Sequence, residues 1–254
     1  AKAFVNLTRI TPELGLRCVV AAAGAALGAP GGPLAAPWPR LEAALRLVYH
    51  FSEGCTRQVV KHTNPSAFVE QGEFPALVAA IHSSDIRKHT HPQILLLYYN
   101  ITIRYSKVVL DTGQHLIPEI LETIAGAGGL GHPTDGNLRA RACYLLLRLV
   151  KALRDALGPY VGAVAQGVEQ LLDSPALQAS LGPADLLNLY QALGTLVALP
   201  SVQPEDQQRY LEALFAKQVF FVQELLGSPF LQGGAGAAPG PLPEETARVG
   251  ERLA

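Results

Sequence analysis

The spacing of apolar residues is the feature that most constrains the fold of this chain. Apolar residues recur at three- and four-residue intervals almost throughout, and no run of alternating β-branched residues is typical of a strand. The pattern predicts an all-α protein, with helices near 12–27, 39–53, 73–83, 92–108, 114–125, 137–156, 159–172, 184–199 and 205–226. Residues near these limits favour helix starts and ends. Pro12, Pro92 and Pro159 suit a first helical turn, and Asp135 and Ser201 suit an N-cap. Gly54, Gly158 and Gly227 suit the ends of helices.

The long helices open at a regular interval. They begin near 92, 137 and 184, at intervals of 45 and 47 residues, and each is followed by a second helix. This period is typical of HEAT repeats, in which helical hairpins stack and cover each other's apolar faces. The sequence therefore predicts an α-solenoid of HEAT-like hairpins. One compact helical bundle is the alternative, although a bundle does not require so regular an interval.

Composition limits the functional classes. A hydrophobic content of 49% excludes a disordered chain, and the charged content of 16% is below the roughly 25% of an average soluble protein. The net charge of -1 gives no general attraction to nucleic acid, so any RNA-binding surface must be a local patch. Cys18, Cys55 and Cys143 are widely separated among apolar residues, which favours buried thiols in a reducing compartment.

Three segments are rich in Ala, Gly and Pro: 21–39, 125–134 and 232–243. We expect flexible insertions near 28–38 and 126–134, a repeat segment over 1–226, and a linker with the start of a following segment over 227–254. The prolines in the long uncharged stretch before Pro39 argue against membrane insertion. Since the sequence contains no methionine, even at position 1, we expect an internal fragment.

No motif predicts catalysis, a metal or a cofactor. Residues 126–131 match G-x-G-x-x-G, but the match follows a predicted helix instead of a strand. His82, His89 and His91 lie close together without the further ligands of a metal site, so we expect solvated connector histidines. Cys143 has no histidine at helical spacing, which favours a packing role. We therefore expect that the chain is not an enzyme.

The helix predicted over 137–156 is strongly basic. Arg141, Arg148 and Lys151 fall within a sector of about 80° when each residue turns the helix by about 100°. They form a basic stripe suited to phosphates, and Arg104 with Lys107 forms a smaller pair. A structural role stays open, because an aspartate before a helix and an arginine inside it often connect adjacent repeats, and long basic side chains cover apolar surface.

Several segments resemble the exportin-T family of the importin-β superfamily. HPQILLLYYNITIRYSK at 91–107 resembles a family helix with a His-Pro start, and NLRARACYLLLRLVK at 137–151 resembles a family segment that ends in Phe-Val-Lys. LEAALRLVYHFSEG at 41–54 is similar to a third family helix. The resemblance covers roughly residues 4–226. The Gly-rich stretch at 125–134 and the Ala/Pro-rich stretch at 21–39 depart from the family pattern.

The resemblance implies a non-catalytic export receptor that carries tRNA from nucleus to cytoplasm and depends on Ran-GTP. It implies that Ran-GTP binds mainly through repeats absent from this chain, that nuclear pore proteins are further partners, and that the carrier is monomeric. The candidate RNA-binding residues are Arg141, Arg148, Lys151, Arg104 and Lys107. The alternative is a helical-repeat scaffold or a protein-cargo exportin that binds proteins only.

Overall fold

A computed structural model describes residues 1–55, 69, 72–174, 177 and 179–227. Its α-helices are α1 (Lys2–Ile10), α2 (Pro12–Leu27), α3 (Trp38–Cys55), α4 (Glu73–Ser83), α5 (Pro92–Arg104), α6 (Ser106–Thr112), α7 (Ile117–Ala125), α8 (Gly136–Leu153), α9 (Val161–Leu172), α10 (Pro183–Val197) and α11 (Pro204–Gly227). Short 3-10 turns precede α5, α7 and α9 and follow α8. The described residues include no β-strand. The tail at 228–254, with its low-complexity stretch, lies outside the described residues.

The helices stack in two layers. In the first layer α3 packs on α5, α5 on α8, and α8 on α10, so neighbours in space are separated in the chain by one or two other helices. The second layer is formed by the partners of these helices: α7 packs on α9, and both α9 and α11 pack on the first-layer helix α10. The first-layer helices α5, α8 and α10 begin at Pro92, Gly136 and Pro183, which keeps the period in the mid-forties. This order confirms the predicted all-α solenoid.

The α8 helix shows how the apolar pattern produces the stacking. It packs on α5, α7 and α10, and its apolar residues are buried on three sides. Leu145, Leu146 and Leu149 are all at most 1% exposed. Burying each such side chain contributes about 1.5 to 3 kcal/mol to the hydrophobic stabilisation of the fold. Only one narrow face of α8 is left for solvent.

Helix starts follow from residues near the caps. The Asp135 carboxylate accepts a hydrogen bond from the Leu138 amide at 2.9 Å, so the predicted cap of α8 is confirmed. The prediction of Ser201 as a cap is wrong, because α11 begins three residues later, at Pro204. Gly54 does not end its helix, since α3 continues to Cys55. A Cβ atom at Gly54 would lie 2.5 Å from the Thr8 Cβ, so the glycine is required for α1 to pack on α3.

The predicted helix over 92–108 is divided in two at Tyr105. Tyr105 has φ of -110° and ψ of 32°, and α6 continues from Ser106. The Tyr105 hydroxyl donates to the Val48 carbonyl of α3 at 2.7 Å. This bond holds Tyr105 against α3, while α6 packs on α4 and α8. A contact with a helix more than fifty residues earlier in the chain therefore accompanies the break.

The Gly-rich stretch at 126–134 forms a packed turn, whereas we expected a flexible insertion. The Leu130 amide donates to the Ile124 carbonyl at 2.8 Å, and the Leu130 side chain is fully buried. The Tyr99 hydroxyl of α5 donates to the Gly128 carbonyl at 2.8 Å. A Cβ atom at Gly129 would lie 2.1 Å from the Ile124 carbonyl oxygen. Glycine therefore permits the close return of the chain that ends α7.

The Ala/Pro-rich stretch at 28–38 is also a compact turn between α2 and α3. Gly31 and Gly32 have φ angles of 85° and 75°, a left-handed conformation that favours glycine. The Ala35 amide donates to the Gly32 carbonyl at 3.2 Å, and Ala36 is buried. None of the helices in the described ranges combines the length and apolarity needed to cross a membrane.

Candidate functional site

The solvent face of α8 carries the basic stripe. Arg141, Arg148 and Lys151 are exposed, and the intervening apolar residues are buried in the stack. Tyr144 lies on the same face and is 39% exposed. At a rise of about 1.5 Å per residue, the stripe from Arg141 to Lys151 is about 15 Å long. The helix thus presents three cations and one aromatic ring along a single line.

Tyr144 organises the two arginines. The Arg141 Cζ atom is 5.6 Å and the Arg148 Cζ atom 5.8 Å from the centre of the Tyr144 ring. Both distances fall within the range of cation–π attraction. Sequence reasoning missed this residue, although its position, three after Arg141 and four before Arg148, places it on the same helical face. We name Arg141, Tyr144, Arg148 and Lys151 the α8 stripe.

The charge of the α8 stripe is not neutralised by nearby acids. The helix from Gly136 to Leu153 contains no aspartate or glutamate. Within the described residues, none of the three cations forms an ion pair with a carboxylate. Uncompensated surface cations on one line attract a polyanion more strongly than ion-paired ones do.

Arg139, on the same helix, has a structural role. Its Nε atom donates to the Ser180 hydroxyl at 2.9 Å, and its Nη1 atom donates to the His132 carbonyl. The side chain therefore connects the turn before α8 with the segment before α10. This arrangement matches the alternative in which an arginine inside the helix connects adjacent repeats. The α8 stripe is formed by other residues on the exposed face.

Arg104 is engaged between α3 and α5. Its guanidinium lies 3.7 Å from the centre of the Tyr49 ring, and Nη1 donates to the Tyr49 carbonyl at 2.9 Å and to a Glu53 carboxylate oxygen at 2.7 Å. Burial raises the pKa of Glu53, but hydrogen bonds from Arg104 and His50 outweigh burial and lower that pKa overall. Lys107 is exposed on α6. RNA contact by Arg104 and Lys107 stays a prediction.

The three neighbouring histidines have different environments, and the expectation of a solvated connector is wrong for His82. The His82 side chain is buried in α4, with Nδ1 2.7 Å from the Val78 carbonyl and Nε2 2.9 Å from the Thr102 hydroxyl. Burial lowers its pKa from 6.5 to about 4. His89 and His91 are partly exposed before α5. Among the residues that the structure describes, no three His, Cys, Asp or Glu side chains are grouped as metal ligands.

The cysteines lie apart as free thiols, and two of them are in the apolar interior. Cys55 and Cys143 are buried, and burial raises their pKa values to about 11 and about 12. A thiol with a raised pKa is a poor nucleophile, because the thiolate is the reactive form. These values agree with the packing role that the sequence predicts for Cys143.

The chain is similar to known proteins over most of its length. The Exportin-T family model matches residues 16–226. Exportin-T of Emericella nidulans is 30% identical over 215 residues, which is 75% of this chain and 20% of the relative. Exportin-T of Arabidopsis thaliana is 28% identical over 179 residues, or 68% of this chain and 17% of the relative. Exportin-T of Aspergillus oryzae is 28% identical over 229 residues, or 83% of this chain and 21% of the relative.

The chain spans about a fifth of the length of these curated relatives. The matched range runs from within α2 to the last turn of α11, so it includes the stacked hairpins and the α8 stripe. The fold and the match agree that this chain belongs to the exportin-T family.

Proposed function

We propose that this chain is a segment of a nuclear export receptor that carries tRNA from the nucleus to the cytoplasm, and that the α8 stripe contacts the phosphates of the RNA. The observation that carries this proposal is the uncompensated line of Arg141, Arg148 and Lys151 on a helix without acids. Family membership supplies the cargo class. The chain as a whole has a net charge of -1, so attraction to RNA must come from such a local surface.

The solenoid supports recognition of RNA by shape. Stacked hairpins present a long continuous surface, and folded RNA is recognised largely through its backbone and shape. Arginine binds phosphate oxygens through two parallel hydrogen bonds, and lysine binds them as a point charge. Tyr144 lies within cation–π distance of both guanidinium groups. The α8 stripe therefore supplies contacts that do not depend on base sequence.

We further propose a carrier that works by linked binding and without catalysis. Ran-GTP, bound mainly by repeats outside this chain, and tRNA favour the same compact arrangement of the receptor. Hydrolysis of GTP in the cytoplasm then removes one of the two stabilising ligands and lowers the affinity for tRNA. Such a receptor shuttles as a monomer between nucleus and cytoplasm and contacts nuclear pore proteins. In this scheme residues 1–226 contribute middle repeats, and residues 227–254 connect them to the following segment.

The test is tRNA binding by the full-length protein in the presence and absence of Ran-GTP. The triple variant Arg141→Gln, Arg148→Gln and Lys151→Gln is expected to bind tRNA at least tenfold more weakly, because three phosphate contacts are removed. A matched control replaces Arg17, Lys88 and Arg209 by glutamine, which changes the net charge equally at exposed positions outside α8. Equal tRNA affinity in both triple variants contradicts the proposal.

The second candidate is a scaffold or exportin that binds only proteins. The observation that favours it is an exposed apolar face of α11, where the side chains of Leu211, Phe215, Val219 and Phe220 are 39–60% exposed. Protein binding through such a surface changes little with salt, whereas binding through phosphates weakens steeply. Cargo binding that is unaffected by salt and by the α8 substitutions favours this candidate.

A further inference from the structure

A second group of aromatic side chains lies in the first layer, at the N-terminal ends of α3 and α5. The rings of Trp38 and His91 are stacked, with centres 3.9 Å apart and planes 16° apart. The His89 ring follows, with its centre 6.4 Å from that of His91. Trp38 is nevertheless 44% exposed. His91 stacks on one face of the indole, which leaves the opposite face and the ring edges without a stacking partner among the described residues.

The supporting rings are held by the backbone. The His91 amide donates to His89 Nδ1 at 2.9 Å, and the Gln93 amide donates to His91 Nδ1 at 3.3 Å. A ring nitrogen that accepts a hydrogen bond carries no proton, so each neutral ring carries its proton at Nε2. The described residues provide no hydrogen-bond partner for either Nε2 or for the indole N–H. The backbone thus holds both imidazole rings in place, and the His91 ring supports one face of the indole.

We propose that Trp38 and His91 form a stacking platform for an unpaired nucleobase of RNA; this inference rests on the proposed RNA-binding function. An open aromatic face binds bases of any type, since every base has a π face. We call Trp38 and His91 the α3–α5 platform.

The location fits a single RNA that contacts both surfaces. The α3–α5 platform and the α8 stripe belong to the same layer, in which α5 separates α3 from α8. With about 8 to 10 Å between the axes of packed helices, α3 and α8 are about 20 Å apart. This lateral separation is short enough for one RNA strand to span.

Fluorescence of the 254-residue chain tests the platform directly, because Trp38 is its only tryptophan. Two probes are titrated at low ionic strength: a ten-nucleotide oligouridine and an abasic ribose–phosphate chain of the same length. We expect saturable quenching with oligouridine only, and about tenfold tighter binding of oligouridine than of the abasic chain, as one stacked base provides. Equal affinity for the two probes, without quenching, overturns the proposed α3–α5 platform. That result leaves the proposed phosphate contacts of the α8 stripe unaffected.

Variants separate stacking from folding. Trp38→Ala is expected to remove the preference for oligouridine over the abasic chain, and Trp38→Phe to retain part of it, with binding measured on labelled RNA. His91→Asn keeps a cap acceptor for the Gln93 amide and removes the supporting ring, so a loss of a few-fold is expected. An unchanged preference in Trp38→Ala contradicts the proposal whatever its effect on stability.

Three further outcomes are decisive. Quenching that persists in the triple variant of the α8 stripe supports the platform and counts against the stripe. Failure of both probes to bind overturns both proposals. A decaproline peptide serves as the protein-type probe, because proline also packs on exposed tryptophan. Quenching by decaproline and not by oligouridine assigns Trp38 to a protein partner and overturns the RNA platform.

Discussion

Buried His82 makes the stability of the fold depend on pH. Its Nδ1–H donates to the Val78 carbonyl, since a carbonyl oxygen can only accept. In the neutral ring Nε2 is an acceptor, and it shares the single hydrogen of the Thr102 hydroxyl with the Tyr98 carbonyl, which lies 2.9 Å from that hydroxyl. Burial disfavours the imidazolium and lowers the pKa of His82 to about 4, against 6.5 for an exposed histidine. Between these two pH values the unfolded chain binds more protons than the folded chain does.

The sign and magnitude of the pH dependence of stability follow from this difference in proton binding. A lowered folded pKa contributes stability that is fully present above the unfolded pKa and is lost as pH falls toward the folded pKa. With pKa values of about 4 and 6.5, His82 lowers the free energy of unfolding by about 2 kcal/mol between about pH 7.5 and about pH 5. Two kcal/mol is a large fraction of the stability of an ordinary domain.

The assay is urea unfolding followed by circular dichroism at both pH values. In His82→Leu the difference in unfolding free energy between the two conditions is expected to be smaller by about 2 kcal/mol than in the parent chain. His115→Gln, at an exposed histidine, is the matched control. If His82→Leu shows the same pH dependence as the parent, the ring is not held neutral by burial and the reasoning is refuted.

Two further changes test the packing. Gly129→Ala is expected to destabilise the chain by more than 1 kcal/mol, because the new Cβ atom meets the Ile124 carbonyl oxygen. Gly167→Ala, inside α9 with no atom within 4 Å of the new Cβ, is expected to stabilise the chain by about 0.5 to 1 kcal/mol. Equal unfolding midpoints for the two variants contradict this account. Arg104→Met is expected to lower the free energy of unfolding in urea by about 1 to 2 kcal/mol, because the contacts with Tyr49 and Glu53 are lost. An unchanged unfolding midpoint shows that α3 packs on α5 equally well without these contacts.

The architecture was predictable because it depends on local periodicity. Three- and four-residue apolar spacing produces helices, and a mid-forties interval places alternate helices side by side, as α5, α8 and α10 are. The break at Tyr105 was not predictable, since its hydroxyl bonds to Val48, 57 positions earlier. The composition of residues 126–134 led us to expect a flexible insertion, but one apolar residue, Leu130, is buried in the core and holds the glycine-rich turn against it.

The candidate surfaces were predictable only where one helix carries them. Arg141, Arg148 and Lys151 share a face because of helical geometry alone, and the same geometry includes Tyr144 once aromatic residues are counted with the cations. Trp38 and His91 are far apart in sequence and meet only because α3 packs on α5. The roles of Arg104 and His82 likewise depend on neighbours from other helices, which no local pattern encodes.

The salt dependence of tRNA binding tests the central claim most directly. Each phosphate contact contributes about 0.7 to 0.9 to the slope of log affinity against log salt concentration. For the full-length protein with Ran-GTP, replacing Arg141, Arg148 and Lys151 by glutamine is expected to reduce the magnitude of that slope by about two, with unchanged thermal stability. A slope identical to that of the parent protein shows that the α8 stripe does not contact RNA phosphates.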